Sequence, residues 1–255
     1  VIEKARGNVN LNAPFKILKN QKGLSRLFET YRILKQLKRD GYNNFYVHYS
    51  YYGAFAAWLV GGKIYYWNRG MPWLFKRSFW EERLFRFILK HSILVTGPKS
   101  LAKEYAKHYR IKKYVVLSNW IDVERFMPRE DKISTKSWFA LDAGAKIILF
   151  VHHLSERKGA DLIAKIAAGF SNDPNIIFMV IGAGPYMPKL QEEAKSLPIR
   201  IFGPVPNKDI AIYFQSADVF IMPSREEGSP HVILDSLASG TPFVASDIGG
   251  TRETI

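Results

Sequence analysis

Short apolar runs alternate with amphipathic helical stretches along almost all of this 255-residue chain, and that alternation limits the fold more than any single residue does. In the first half, Phe45–His48, Lys63–Trp67, Ser92–Thr96 and Tyr114–Ser118 read as strands. Helical patterns lie among them: Ser25–Asp40, Tyr51–Leu59, the basic and aromatic Trp73–Leu89, and Ser100–Tyr109. The first of these carries Leu27, Phe28, Tyr31, Leu34 and Leu37 on one face and Arg26, Arg32, Lys35, Lys38 and Arg39 on the other. The second half repeats the scheme, with strands Lys146–His152, Ile176–Ile181, Arg200–Phe202, Ala217–Pro223 and Pro242–Ala245. Its helices are Ala160–Phe170, Pro188–Ser196, Asn207–Ser216 and one carrying Val232, Ile233, Leu234 and Leu237. Strands and helices of these lengths in alternation predict an α/β protein with parallel sheets covered on both faces. Val1–Asn20 has short apolar stretches among Asn and Lys and no motif.

Open parallel sheets bind ligands beyond the carboxyl ends of their strands. His48, Arg69, Asn119, His153, Lys158, Gly182–Gly184, Val205 and Glu227 fall there. The stretch Ser224–Glu253 is the richest of these places. A strand ends at Pro223, a turn holds Glu226-Glu227-Gly228, and Ser229 and Pro230 stand as N-cap and first residue of a helix. Such a turn aims unpaired N–H groups and a positive dipole end outward, which suits a phosphate. Glu227 and Asp235 flank it, and an anion site has no use for carboxylates as charges. Their expected job is to accept hydrogen bonds from hydroxyls. Phosphate with hydroxyls suggests a nucleotide-sugar.

The segment resembles the donor signature of retaining GT-B glycosyltransferases, in particular glycosyltransferase family 4. The residues that carry the likeness are Glu227-Gly228-Ser229-Pro230, then Asp235 where the family usually has Glu, Gly240-Thr241-Pro242-Phe243-Val244-Ala245, and Gly249-Gly250-Thr251-Arg252-Glu253. Asn119–Phe126 is similar to the family's Pro-Asn-Gly-Val-Asp-x-x-x-Phe motif, with Trp120 in place of Gly. The resemblance implies two Rossmann-like domains with parallel sheets. Residues 1–128 would be an acceptor-side domain, 129–145 a linker and 146–255 the nucleotide-sugar domain. It also implies that the chain is cut at both ends, since the family's first strand with its Gly-rich loop and its closing helices have no counterpart here.

By the same resemblance Lys158 grips the donor diphosphate, with His153 where the family has an Arg, and either Arg157 takes that part or the grip is weaker. Gly182 and Gly184 lie along the nucleotide and Val205 near the base. Gly228, Ser229 and Pro230 meet the phosphate, Glu227 the transferred sugar, and Asp235 the ribose diol. Glu227 and Lys158 carry the catalytic roles, while His48, Arg69 and Asn119 are carried over to the acceptor or sugar side. The implied activity is retaining transfer of a sugar from a nucleoside-diphosphate sugar to a glycan or lipid-linked acceptor. No cofactor is expected. No Asp-x-Asp motif occurs, so no metal is assigned.

Charge divides the chain as the domains do. Residues 1–128 hold 24 Lys+Arg against 8 Asp+Glu, a net +16; residues 129–255 hold 13 against 15, a net −2. A basic half suits nucleic acid, anionic lipid or a phosphorylated substrate. Residues 73–90, with Lys76, Arg77, Arg83, Arg86 and Lys90 among Trp73, Phe79, Trp80 and Phe87, suit an anionic bilayer, although tryptophans are core residues by default. With no cysteine, no apolar run long enough to span a bilayer and no signal peptide at the start, the expected location is the cytoplasm, with peripheral contact at the membrane's inner face. Two rival readings stand beside transfer. One is a GT-B nucleotide-sugar epimerase or hydrolase, which needs no acceptor. The other is a non-catalytic basic module for nucleic acid, against which the donor motif in the acidic half argues.

Overall fold

The computed structural model describes residues 24–129 and 131–255, so Val1–Asn20 lies outside the described residues. The chain divides into two compact units, the first ending at Leu117 and the second beginning at Ser118.

The first unit runs α1 (Leu24–Arg39), β1 (Asn44–His48), α2 (Tyr51–Leu59), β2 (Lys63–Trp67), α3 (Phe79–His91), β3 (Ile93–Thr96), α4 (Lys99–Tyr109) and β4 (Tyr114–Val116). Its strands pair in parallel in the order β1-β2-β3-β4. Phe45, Val47, Ile64, Tyr66 and Leu94 of the sheet close on Ala54, Ala57, Phe85, Ile88, Leu101 and Tyr105 of the helices. The helix expected over Trp73–Leu89 is broken. Pro72–Leu74 forms a single 3-10 turn, and α3 starts afresh after Ser78. Ser78 accepts a hydrogen bond from the Glu81 N–H while the Glu81 carboxylate takes the Ser78 N–H, a reciprocal cap that fixes the start at Phe79 rather than at Trp73, where periodicity suggests it. The tryptophans also depart from expectation. Trp67 is buried, but Trp80, Trp120 and Trp138 are each at least 70% exposed.

The second unit contains α5 (Val123–Phe126), α6 (Lys132–Ser137), β5 (Lys146–Val151), α7 (Ala160–Ala168), β6 (Ile176–Ile181), α8 (Met187–Glu193), β7 (Ile199–Gly203), α9 (Ile210–Ser216), β8 (Val219–Met222), α10 (His231–Ala238), β9 (Phe243–Ala245) and α11 (Thr251–Thr254). All strand pairs are parallel, in the order β7-β6-β5-β8-β9. Alternation along the strands splits the apolar side chains between two cores. Ile147, Leu149, Met179, Ile181, Phe220 and Met222 join one, and Phe150, Phe178 and Val180 the other. Both faces are therefore covered, which is why these strands are apolar throughout rather than every second residue. The order of winding reverses between β5 and β8. Strand loops diverge at such a reversal and leave room for a ligand beyond the carboxyl ends.

Residues 118–145, read from the sequence as the end of one domain and a linker, pack with the second unit. Phe126, Leu141 and Ala145 belong to its core, and the Gln215 side chain donates to the Met127 carbonyl at 2.9 Å. Lys136 is buried against Asp218 at 3.2 Å and donates to the Ala145 carbonyl at 2.6 Å, so α6 is tied down at the base of β5.

Candidate functional site

The turn after β5 and the turn after β8 stand on either side of the winding reversal, and their side chains meet. Lys158 closes a 3-10 turn, Glu156–Lys158, which a glycine with φ +75° hands on to α7. That residue, Gly159, has to be glycine because a Cβ there would lie 2.2 Å from the Pro223 carbonyl oxygen. The close approach delivers Lys158 to the β8 turn. Its ammonium donates to Glu227 Oε1 at 2.7 Å and to the Glu226 carbonyl at 3.0 Å. Both residues are buried, Lys158 at 7% and Glu227 at 6% exposure.

A second donor reaches the same oxygen. His152 Nε2 lies 2.9 Å from Glu227 Oε1, and His152 Nδ1 accepts the backbone N–H of His153 at 2.9 Å. Oε2 takes no hydrogen bond among the described residues and is not fully enclosed. Burial pushes the Glu227 carboxyl up, but the His152 hydrogen bond and the Lys158 charge outweigh it and hold the group at about 2. Burial acts the other way on Lys158 and lowers it from its ordinary value, with Glu227 offsetting part of that. The outer edge of the turn is clamped by Arg225, which grips the Asp161 carboxylate at 2.6 and 2.7 Å.

Beyond Glu227 the chain enters α10 one residue later than expected. Pro230 is the N-cap and His231 the first helical residue. Ser229 does not cap. Asn119 Nδ2 holds its hydroxyl at 2.8 Å and its carbonyl at 2.9 Å instead. Asn119, Gly228, Ser229 and Pro230 thus form one pinned turn, and the N–H groups of Gly228 and Ser229 have no partner among the described residues. Asp235, on α10, is half-buried, and its carboxylate accepts no hydrogen bond among the described residues. Burial pushes its carboxyl up to about 6, against the pull of Arg125.

The glycine loop has a structural reason for its composition. A Cβ at Gly182, where φ is +136°, would sit 1.9 Å from the His152 carbonyl oxygen, and one at Gly184 would sit 2.2 Å from that of Leu154. The loop after β6 therefore lies flush against the backbone that carries His152. His153, the residue read from the sequence as a phosphate ligand, is exposed, and its amide rather than its ring serves the cluster. Arg157, the other candidate for that role, is exposed and faces Glu226 at 3.8 Å. Val205 packs partly buried against the core of the second unit.

His48 and Arg69 belong to the first unit. His48 is exposed against Tyr49 and Trp67. Arg69 is buried with its guanidinium 4.0 Å from the Trp67 ring centre and donates to the Leu117 carbonyl, so it ties the end of β2 to the chain beyond β4. The reading from residues alone missed His152. Its signal was present, since alternation along β5 sets it on the face of Ile148 and Phe150, and its ring lies 6.5 Å from that of Phe150.

Comparison with known proteins follows the same lines. The family described as Glycosyl transferases group 1 matches residues 132–255. D-inositol 3-phosphate glycosyltransferase of Corynebacterium urealyticum is 31% identical over 157 residues, 56% of this chain and 37% of the relative. Alpha-monoglucosyldiacylglycerol synthase of Streptococcus pneumoniae is 28% identical over 161 residues, 59% of this chain and 36% of the relative. The chain thus spans little more than a third of the length of these relatives. Among solved structures, Anabaena Alr3699/HepE in complex with UDP and glucose aligns with a TM-score of 0.78 at 18% identity, covering 95% of this chain and 70% of that one. That likeness is one of fold, and the fold is α/β of the GT-B type. Residues 132–255, just under half of the chain, are thus similar to the glycosyl transferases group 1 family.

Proposed function

We propose that this chain transfers a sugar from a nucleoside-diphosphate sugar to a glycan or lipid-linked acceptor, with retention at the anomeric carbon and no metal. The observation that carries the reading is the buried Lys158–Glu227 pair at the winding reversal, beside the unpartnered amides of Gly228 and Ser229. The amides and the helix end take the diphosphate. Lys158 lies close enough to share its growing charge as the bond from the anomeric carbon to the phosphate oxygen breaks. Glu227 accepts from sugar hydroxyls through Oε2, and Asp235 accepts from the ribose diol. The acceptor hydroxyl attacks from the face the diphosphate leaves and passes its proton to that diphosphate. Glu227 therefore positions the sugar rather than forming a bond to it. HepE was solved with UDP and glucose, which fits such a donor, and one relative is named as a diacylglycerol glucoside synthase, which fits a lipid acceptor.

Thermal shift of the chain with UDP-, GDP- and ADP-sugars tests the donor. One base class should raise Tm, and the same sugar nucleotide should be hydrolysed slowly or not at all until an acceptor is added. Turnover without acceptor would make the protein a hydrolase or epimerase, and no shift with any donor would sink the reading.

The acceptor side adds a lipid surface to the reading. Phe75, Phe79 and Trp80 stand 59, 67 and 75% exposed, with Lys76, Arg83, Arg86 and Lys90 exposed around them. Aromatic side chains that find no core, ringed by cations, fit the headgroup region of an anionic bilayer. No helix among the described residues is long and apolar enough to cross one. The chain should float with phosphatidylglycerol vesicles and stay down with phosphatidylcholine. Trp80→Glu should cut flotation roughly fivefold, since each charge near the surface is worth about 1 kcal/mol. Equal flotation on both lipids would remove the membrane from the proposal.

A further inference from the structure

We infer that His152 is a positioning residue that decides which oxygen of Glu227 faces the donor's sugar; this deepens the donor reading and rests on it. The hydrogen bonds assign the ring. Nδ1 accepts the His153 N–H at 2.9 Å and so carries no proton. The proton sits on Nε2, which donates to Oε1 at 2.9 Å. Lys158 donates to the same oxygen at 2.7 Å. With both lone-pair directions of Oε1 engaged, the free acceptors of Glu227 are those of Oε2.

Lys158 alone does not achieve this. The terminal torsion of a glutamate is soft and roughly two-fold, and an ammonium is a point charge whose three donors can follow either oxygen. An imidazole N–H is a single directed donor on a rigid ring. Here the ring is itself held by a backbone amide and by the loop of Gly182 and Gly184, which leaves no space behind the His152 carbonyl. Lys158 gives the carboxylate its charge and His152 gives it its orientation. The bland alternative is a histidine that merely fills space beside Phe150. A filler would have no preferred tautomer and no influence specific to the sugar.

The experiment uses the full chain, with calorimetric titration of three probe pairs, UDP-glucose with UDP, GDP-mannose with GDP and ADP-glucose with ADP. Wild type, His152→Phe and His152→Gln are compared on whichever pair wild type binds. His152→Phe should lose about tenfold in affinity for the sugar nucleotide, the size of one hydrogen bond to a charged group, while the bare diphosphate stays within about twofold. His152→Gln, whose amide can still reach Oε1, should recover most of that loss. Equal affinities across the three proteins, or parallel losses for sugar nucleotide and diphosphate, would overturn the role of His152 and leave the donor reading standing. A wild type that binds none of the probe pairs would overturn both. Nitrogen-15 spectra of the ligand-free protein at pH 7.5 give an independent readout. They should show His152 as the Nε2–H tautomer, and an Nδ1–H tautomer or an imidazolium would refute the geometry on its own.

Discussion

Replacing Glu227 by Gln is expected to lower stability at pH 7 by about 3–5 kcal/mol, the usual cost of leaving one partner of a buried ion pair uncompensated. Lys158→Met should cost a similar amount, because it strands the carboxylate instead. The informative variant is the double one. Burial pulls Lys158 below its ordinary value despite its partner at 2.7 Å, so the loss of water wins on the lysine's side and offsets what the carboxylate gains from Lys158 and His152. A Lys158→Met, Glu227→Leu protein should therefore recover most of the stability, and neither it nor the single variants should bind a donor. The pH profile separates the charge from the contact. Glu227 falls from an ordinary 4.5 to about 2 on folding, so its contribution is complete above pH 4.5 and is lost as pH falls through 2. Its size is about 3 kcal/mol. Urea midpoints of wild type should decline over that window, while those of the double variant should lack this component. A double variant as unstable as either single one would mean that the pair holds the fold, and its place at the winding reversal would then say nothing of a ligand.

Much of this was readable from residue order. The alternation of apolar runs and helices gives two parallel sheets, because strands such as Ile147–Val151 and Phe178–Ile181 are apolar on both faces and need a layer on each. The turn with Glu227 was readable because its residue types, a carboxylate beside glycine and a proline at a helix start, each do a local job. Other features were not, for physical reasons. Ser78 restarts a helix that periodicity runs straight through, since a cap is a decision of one side chain while periodicity averages over many. Ser229 has the composition of an N-cap, but the hydrogen bonds of Asn119 compete for its hydroxyl from 110 residues away. No local rule reports such a contact. His152 and His153 differ by one position, and along a strand one position exchanges faces. The choice between them turns on where β5 ends, and strand ends are the part of a pattern that sequence defines least well.

Asp235 should show the opposite balance to Glu227, with ligand affinity and stability moving apart on mutation. Its carboxyl is raised from 3.8 to about 6 by burial, so the folded protein holds a proton there that the unfolded chain gives up sooner. The favourable contribution is complete below pH 3.8 and is lost as pH rises through 6. Asp235→Asn should therefore match wild type in Tm near pH 4 and gain steadily to a plateau above pH 6. The gain should be about 1–2 kcal/mol once partial exposure is allowed for. The same variant should bind donor about 10- to 100-fold more weakly at pH 7.5, because an amide accepts from a diol with one oxygen and no charge. Wild type carries the complementary signal. If hydroxyls bind the ionised carboxylate, donor binding at pH 6 has to expel the proton that about half the molecules hold, and calorimetry in two buffers of different ionisation enthalpy should count its release. At pH 8 the release should vanish. A donor that binds at pH 6 without releasing a proton, or an Asp235→Asn protein that binds as tightly as wild type, would place the ribose elsewhere. The half-buried charge on α10 would then need another explanation.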